Sequence, residues 1–186
     1  MSLTESTMLP LGTEAPPFVL PDTVSNKDVS LEEIARDKEA TVVMFLCNHC
    51  PYVKHVNSEL VRLAKDYLRE GVAFVGISSN DVENYPDDRP ELMTKVAEEE
   101  GYSFPYLYDE SQNVARAYDA ACTPDFYVFD ADLKLVYRGR LDNSRPGNDV
   151  ALSGTDLRRA INGALAGDKP LPTQYPSAGC NIKWKS

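Results

Sequence analysis

Two continuous apolar runs, "TVVMFL" (Thr41 to Leu46) and "VAFVGI" (Val72 to Ile77), constrain this chain more than any other feature. Both are rich in β-branched residues and lack the alternation of a strand with one wet face, so each predicts a strand buried on both faces. Between them, from Pro51 to Arg69, the apolar residues Val53, Val56, Leu60, Leu63, Ala64 and Tyr67 recur at steps of three and four. That spacing predicts an amphipathic helix, and Gly71 is placed to end it. Strand, helix and strand in this order close as a right-handed parallel unit.

The remaining segments supply cover for both faces of such a sheet. Ser30 and Glu33 in "SLEEIARD" fit a capping box that starts a short helix. A helix is expected from about Pro90 to Glu100 with Gly101 at its end, followed by a short aromatic strand and a helix in "SQNVARAYDA". "DFYVFDADLKLVYRGR" reads as two strands joined by a turn through Ala131 and Asp132. A last helix runs from Thr155, read as its N-cap, to about Ala166, with Gly167 after it. No internal repeat is present. The expectation is an α/β fold, a central mixed β-sheet flanked by helices, forming a single domain over residues 1–186 with residues 169–186 as a C-terminal tail.

Charge and composition narrow the partners. The 186 residues carry a formal net charge of −10 and no run of Lys or Arg, which argues against nucleic acid and anionic membrane surfaces. No apolar stretch approaches the roughly 20 residues of a membrane helix. "MSLTESTMLPLG" lacks a basic-then-apolar signal pattern, so the expected location is cytoplasmic.

Four cysteines, Cys47, Cys50, Cys122 and Cys180, are too few and too scattered for a disulfide-stapled secreted scaffold; in a reducing compartment this usage points to catalysis or metal binding. Cys47 and Cys50 form a C-x-x-C, "CNHC", in the turn between a buried strand and the helix that follows, where chemistry gathers in open α/β sheets. Pro51 suits the first helical position, which makes Cys50 the expected N-cap. A sulfur there would face free amides and the positive end of the helix dipole, and its pKa would fall. His49 adjoins it and would stabilise a thiolate further when protonated.

The chain resembles a thioredoxin-fold protein of the redoxin type, the group that joins thioredoxins, thioredoxin-like thiol-disulfide oxidoreductases and the peroxiredoxins of the AhpC/TSA type. "LGTEAPPFVLPD" resembles the redoxin N-terminal extension, "FLCNHCP" the active-site turn, and "CTPDFYVFD" the loop before the last hairpin. The resemblance implies a cis peptide bond between Thr123 and Pro124, packed against the cysteines, with Pro124 shaping a substrate groove. It also implies a thiol-disulfide oxidoreductase that needs no bound cofactor and exchanges electrons with a protein or low-molecular-weight thiol. Its site would comprise Cys47, Cys50, His49, Thr123 and Pro124. The thioredoxin tryptophan is absent, and two registers stay open. Aligned on the C-x-x-C, Cys47 attacks and Cys50 resolves; aligned on Cys-Pro, Cys50 takes the peroxidatic place and Cys47 stands where peroxiredoxins carry a threonine.

Two alternatives accompany this reading. A peroxiredoxin-like peroxidase would use Cys50, but Pro124 falls where the peroxide-binding arginine is expected, and Arg138 and Arg140 lie further on. A zinc or copper protein would draw ligands from Cys47 and Cys50 with His49, His55, Cys122 or Cys180. Cys122 reads as a small buried hydrophobe or a third redox sulfur, and Cys180 as a packed tail residue or a resolving thiol. His55, Tyr52, Val53 and Val56 read as helix packing or surface. The loops "NDVENYPDDRPE" and "DNSRPGND", the latter with Arg145, read as solvated or substrate-facing.

Overall fold

In the computed structural model, which describes residues 3–186, the strands and helices follow in the order β1 (Leu3–Glu5), β2 (Val19–Pro21), β3 (Asp28–Ser30), α1 (Leu31–Ala35), β4 (Ala40–Phe45), α2 (Pro51–Asp66), β5 (Val72–Ser78), α3 (Pro90–Glu100), β6 (Tyr106–Tyr108), α4 (Asn113–Ala117), β7 (Cys122–Thr123), β8 (Asp125–Asp130), β9 (Leu135–Gly139), α5 (Thr155–Ala166) and β10 (Ala178–Asn181). A 3-10 turn, Pro86–Asp88, precedes α3.

The central sheet has the order β6-β5-β4-β8-β9. β4 runs parallel to β5, and β5 to β6, while β8 is antiparallel to both β4 and β9. The two apolar runs are thus the middle of a mixed sheet, and every residue of β4 and β5 is buried, which is why neither run alternates. Successive side chains point to opposite faces, so two cores form. Val42, Met44, Phe74, Phe126 and Val128 meet Val53, Val56, Leu60 and Leu63 of α2, with Met93 of α3 and Leu157 and Ile161 of α5. Val43, Phe45, Val75, Ile77 and Phe129 face Phe18, Leu31, Ala115 of α4 and Tyr118. Truncating a fully buried side chain such as Leu60 or Leu63 to alanine costs about 2–5 kcal/mol.

Local signals set the helix ends. Ser30 caps α1 by accepting from the Glu33 amide at 3.1 Å. Gly101 closes α3 in the left-handed conformation. The expected Thr155 cap is displaced by one: Gly154 is the N-cap of α5, where its positive φ and the Glu59 side chain against its Cα leave no room for a side chain. α2 ends at Asp66, three residues short of Arg69, in a turn that leads to Gly71.

The C-terminal residues do more than the tail the sequence suggested. β10 lies between β1 and β7 in a second, antiparallel sheet, with Cys180 opposite Thr123 and Asn181 opposite Cys122. No helix of the described residues is long and apolar enough to cross a membrane.

Candidate active site

Cys47 and Cys50 leave the C-terminal end of β4 and enter α2, and both are buried. Cys50 is the N-cap of α2 with Pro51 behind it, but its sulfur makes no capping hydrogen bond. That sulfur is bonded instead to Cys180 on β10. The thiol that faces the amides of His49 and Cys50 belongs to Cys47, correcting the expectation that placed Cys50 there. The reason is the bond to Cys180, which holds the Cys50 sulfur toward β10 and away from the first-turn amides.

Burial pushes the Cys47 thiol up to about 11, and the negative Asp88 adds to the rise, against the Thr123 hydroxyl and the two amides that favour the thiolate. Thr123 organises both sulfurs. Its hydroxyl is 3.4 Å from Cys47 Sγ, and its carbonyl oxygen is 3.5 Å from Cys50 Sγ. The Thr123-Pro124 peptide bond is cis, as the resemblance implied. The five expected site residues therefore gather in one place, Cys47, Cys50, Thr123 and Pro124 about the sulfurs and His49 beside them.

His49 is held by Asp88, a residue the sequence reading left inside an acidic loop. His49 Nδ1 lies 2.6 Å from Asp88 Oδ2, while Asp88 Oδ1 accepts the amides of Asn48 at 2.8 Å and His49 at 3.3 Å. Asn80 Nδ2 donates to Asp88 Oδ2 at 2.9 Å. Burial alone would raise this carboxyl, but the His49 contact and these amide donors outweigh it and hold the pKa below its ordinary value. Tyr85 stacks on the His49 ring, with centroids 6.1 Å apart and planes 8° from parallel. No sequence signal separated Asp88 from the neighbouring Asp87; only the fold turns one inward.

Asn80 joins this cluster to the C-terminal segment, because its Oδ1 accepts the Lys183 amide at 2.9 Å. Gln112 Nε2 donates to the Lys183 carbonyl at 2.8 Å, and Ile182 is buried against the second core.

Cys47, His49 and Asp88 place a sulfur, a nitrogen and a carboxylate oxygen within 4.8 Å of one another. Two ligand atoms on a tetrahedral zinc stand about 3.3 Å apart, given metal bonds of roughly 2.0–2.1 Å. The His49–Asp88 separation of 2.6 Å is shorter than that. His55 bonds Ser144 Oγ at 2.9 Å, and Cys122 faces the carbonyls of Pro124 and Ser177, so neither joins the set. Arg138 is tied to the Leu9 carbonyl and Gln174, and Arg140 to Asp156 and the Tyr175 ring.

A cleft of about 410 Å³ beside Pro124 is lined by Tyr52, His55, Ser144, Arg145, Tyr175 and Ser177, among others. The loop bearing Arg145 thus faces a groove adjoining the cis peptide bond.

The AhpC/TSA family model matches residues 11–138. Among curated proteins, none matches the chain significantly. An uncharacterized conserved protein from Geobacillus kaustophilus is 59% identical, with a TM-score of 0.97, over 100% of this chain and 97% of that one. A hypothetical protein from Sinorhizobium meliloti is 44% identical, with a TM-score of 0.96, over 98% of this chain and 99% of that one. The thioredoxin domain of a thiol-disulfide oxidoreductase from Bacteroides vulgatus is 21% identical, with a TM-score of 0.62, over 82% of this chain and 99% of that one. The chain belongs to the AhpC/TSA family and carries the thioredoxin-like fold.

Proposed function

We propose that this protein is a thiol-disulfide oxidoreductase, working as one domain, whose dithiol chemistry centres on Cys50 and Cys47. The observation that carries the reading is Cys50 at the start of α2, its sulfur in a disulfide, with the Cys47 thiol against the same Thr123. In such chemistry a thiolate attacks a substrate sulfur to form a mixed disulfide, and a neighbouring thiol then expels the reduced product. Thr123 and Pro124 shape the wall of the site, and His49, fixed by Asp88, supplies a polar group beside the dithiol. The substrates are protein or low-molecular-weight disulfides and thiols, in a cytosolic setting whose thiol pool returns the protein to its reduced form.

A second reading is supported by the same disulfide. Peroxide attacked by Cys50 would leave a sulfenic acid, which condenses with the Cys180 thiol, releasing water and forming the Cys50–Cys180 bond. Against it stand Arg138 and Arg140, both engaged elsewhere.

A redox titration in glutathione buffers tests the proposal, with alkylation and peptide mapping of every cysteine. A reversible disulfide involving Cys50 at a physiological potential supports it; cysteines that stay reduced throughout refute it. Peroxide consumption at catalytic rates would favour the second reading.

A further inference from the structure

We propose that Cys180 is a third working sulfur, so that Cys50 alternates between two disulfides, Cys50–Cys180 and Cys47–Cys50. The inference rests on the oxidoreductase reading and adds a residue to its chemistry.

Three sulfurs surround one residue. Thr123 touches Cys47 Sγ through its hydroxyl and lies against Cys50 Sγ through its carbonyl, and its strand partner in the register of β7 and β10 is Cys180. Cys50 is bonded to Cys180, and Cys47, three residues before Cys50, is a free thiol in the same pocket. The amides of His49 and Cys50 are aimed at the Cys47 sulfur and receive negative charge as it forms.

Burial makes an internal attacker the accessible one. Cys47, Cys50 and Cys180 are exposed by 1%, 0% and 2%, so an outside thiol must first open the pocket to reach any of the three, whereas Cys47 is already inside it. Cys122, the other free thiol, is directed at the Pro124 and Ser177 carbonyls.

The C-terminal segment holds its place without the sulfur bond. Ile182 donates its amide to the Ala121 carbonyl at 2.9 Å, Lys183 to Asn80, and Lys185 to Gln112 Oε1 at 3.0 Å. Cys180 therefore stays at hand as a thiol after the bond has moved, which makes the exchange reversible.

The step balances internally. Cys47 gives up its proton, and its thiolate attacks Cys50 Sγ along the Cys50–Cys180 bond. The Cys47–Cys50 bond forms as the Cys50–Cys180 bond breaks, and Cys180 leaves with the electron pair and takes up a proton. No net electrons move, so no oxidant or reductant is needed.

Disulfide mapping of the full chain across glutathione buffers, quenched in acid, tests this. The wild type is expected to contain both disulfides in a ratio that does not change with the glutathione poise, because isomerisation consumes no electrons. Cys180→Ser is expected to form Cys47–Cys50 only, and Cys47→Ser to form Cys50–Cys180 only. Reduction of Cys50–Cys180 by glutathione is expected to slow at least about tenfold in Cys47→Ser, since the bond can then no longer move to the Cys47–Cys50 turn, where His49 is partly exposed, for glutathione to attack. A wild type that holds only one of the two disulfides, or a Cys47→Ser reduced as fast as wild type, overturns the relay while leaving the oxidoreductase reading intact. Absence of any Cys50 disulfide in every protein overturns that reading instead. If Cys180→Ser fails to fold by circular dichroism, the wild-type ratio and the Cys47→Ser rate decide.

Discussion

His49 Nδ1 lies 2.6 Å from Asp88 Oδ2, and the same buried carboxylate accepts the backbone amides of Asn48 and His49. One acid thus fixes the conformation of the two residues between the cysteines and projects its charge onto Cys47, whose thiol is pushed to about 11 by burial first and by Asp88 second.

Replacing Asp88 by Asn removes that charge and keeps a group of similar shape. In the disulfide form, alkylation followed at Cys47 by peptide mapping should rise about tenfold per pH unit toward pH 11 in wild type, because the thiolate is the nucleophile. Asp88→Asn should bend the profile over at lower pH and react faster at pH 8 to 9. An unchanged profile would show that burial alone sets the thiol.

Asp125 makes stability depend on pH with the opposite sign to a paired carboxylate. Burial raises it to about 7 despite the hydroxyls of Ser6 at 2.7 Å and Tyr127 at 3.1 Å. The Tyr127 hydroxyl, with one proton to give, also lies 3.1 Å from the Tyr118 carbonyl, which leaves Asp125 free to donate to it. An unfolded aspartate releases its proton near 3.9, so the folded state binds the extra proton between about pH 4 and 7 and stability falls as pH rises through that window. Asp125→Asn should remove the slope and stabilise the protein at pH 8 by up to on the order of 4 kcal/mol, read from urea melts at pH 4 and 8.

The Cys50–Cys180 bond spans a sequence separation of 130 residues, so it restricts the unfolded chain strongly. Oxidised protein should exceed reduced protein in stability by about 2–4 kcal/mol, with roughly 5 kcal/mol as the loop-entropy limit. Denaturant midpoints with and without a reductant, compared with Cys180→Ala under both conditions, check this. Cys180→Ala should keep only the smaller redox dependence of the short Cys47–Cys50 loop.

Gly179 is needed for the approach of β10 to β7. A Cβ built there would run into the Thr123 carbonyl, with the Pro124 ring 3.3 Å away. Gly179→Ala should loosen β10, destabilise the protein by about 1–3 kcal/mol and lower the fraction of Cys50–Cys180 disulfide formed in a fixed glutathione buffer. Unaltered disulfide formation would mean that β10 docks without its pairing to Thr123.

The buried runs of β4 and β5, the three-and-four spacing of α2 and the "CNHCP" turn were legible in the sequence because each is written in contiguous residues whose period or chemistry follows from local geometry. The position of the thiols at the start of α2 was legible for the same reason, and the cis bond before Pro124 through the family resemblance. Which sulfur faces the helix amides was not, because that depends on the bond to Cys180 that holds the Cys50 sulfur toward β10. Nor could sequence spacing pair Cys50 with a cysteine 130 positions away or distinguish Asp88 from Asp87. Those outcomes were decided where β10 crosses Thr123 and where Asn80 ties Asp88 to Lys183. Such contacts join residues far apart in the chain, and only the packing of the sheet brings their side chains within hydrogen-bonding or bonding distance.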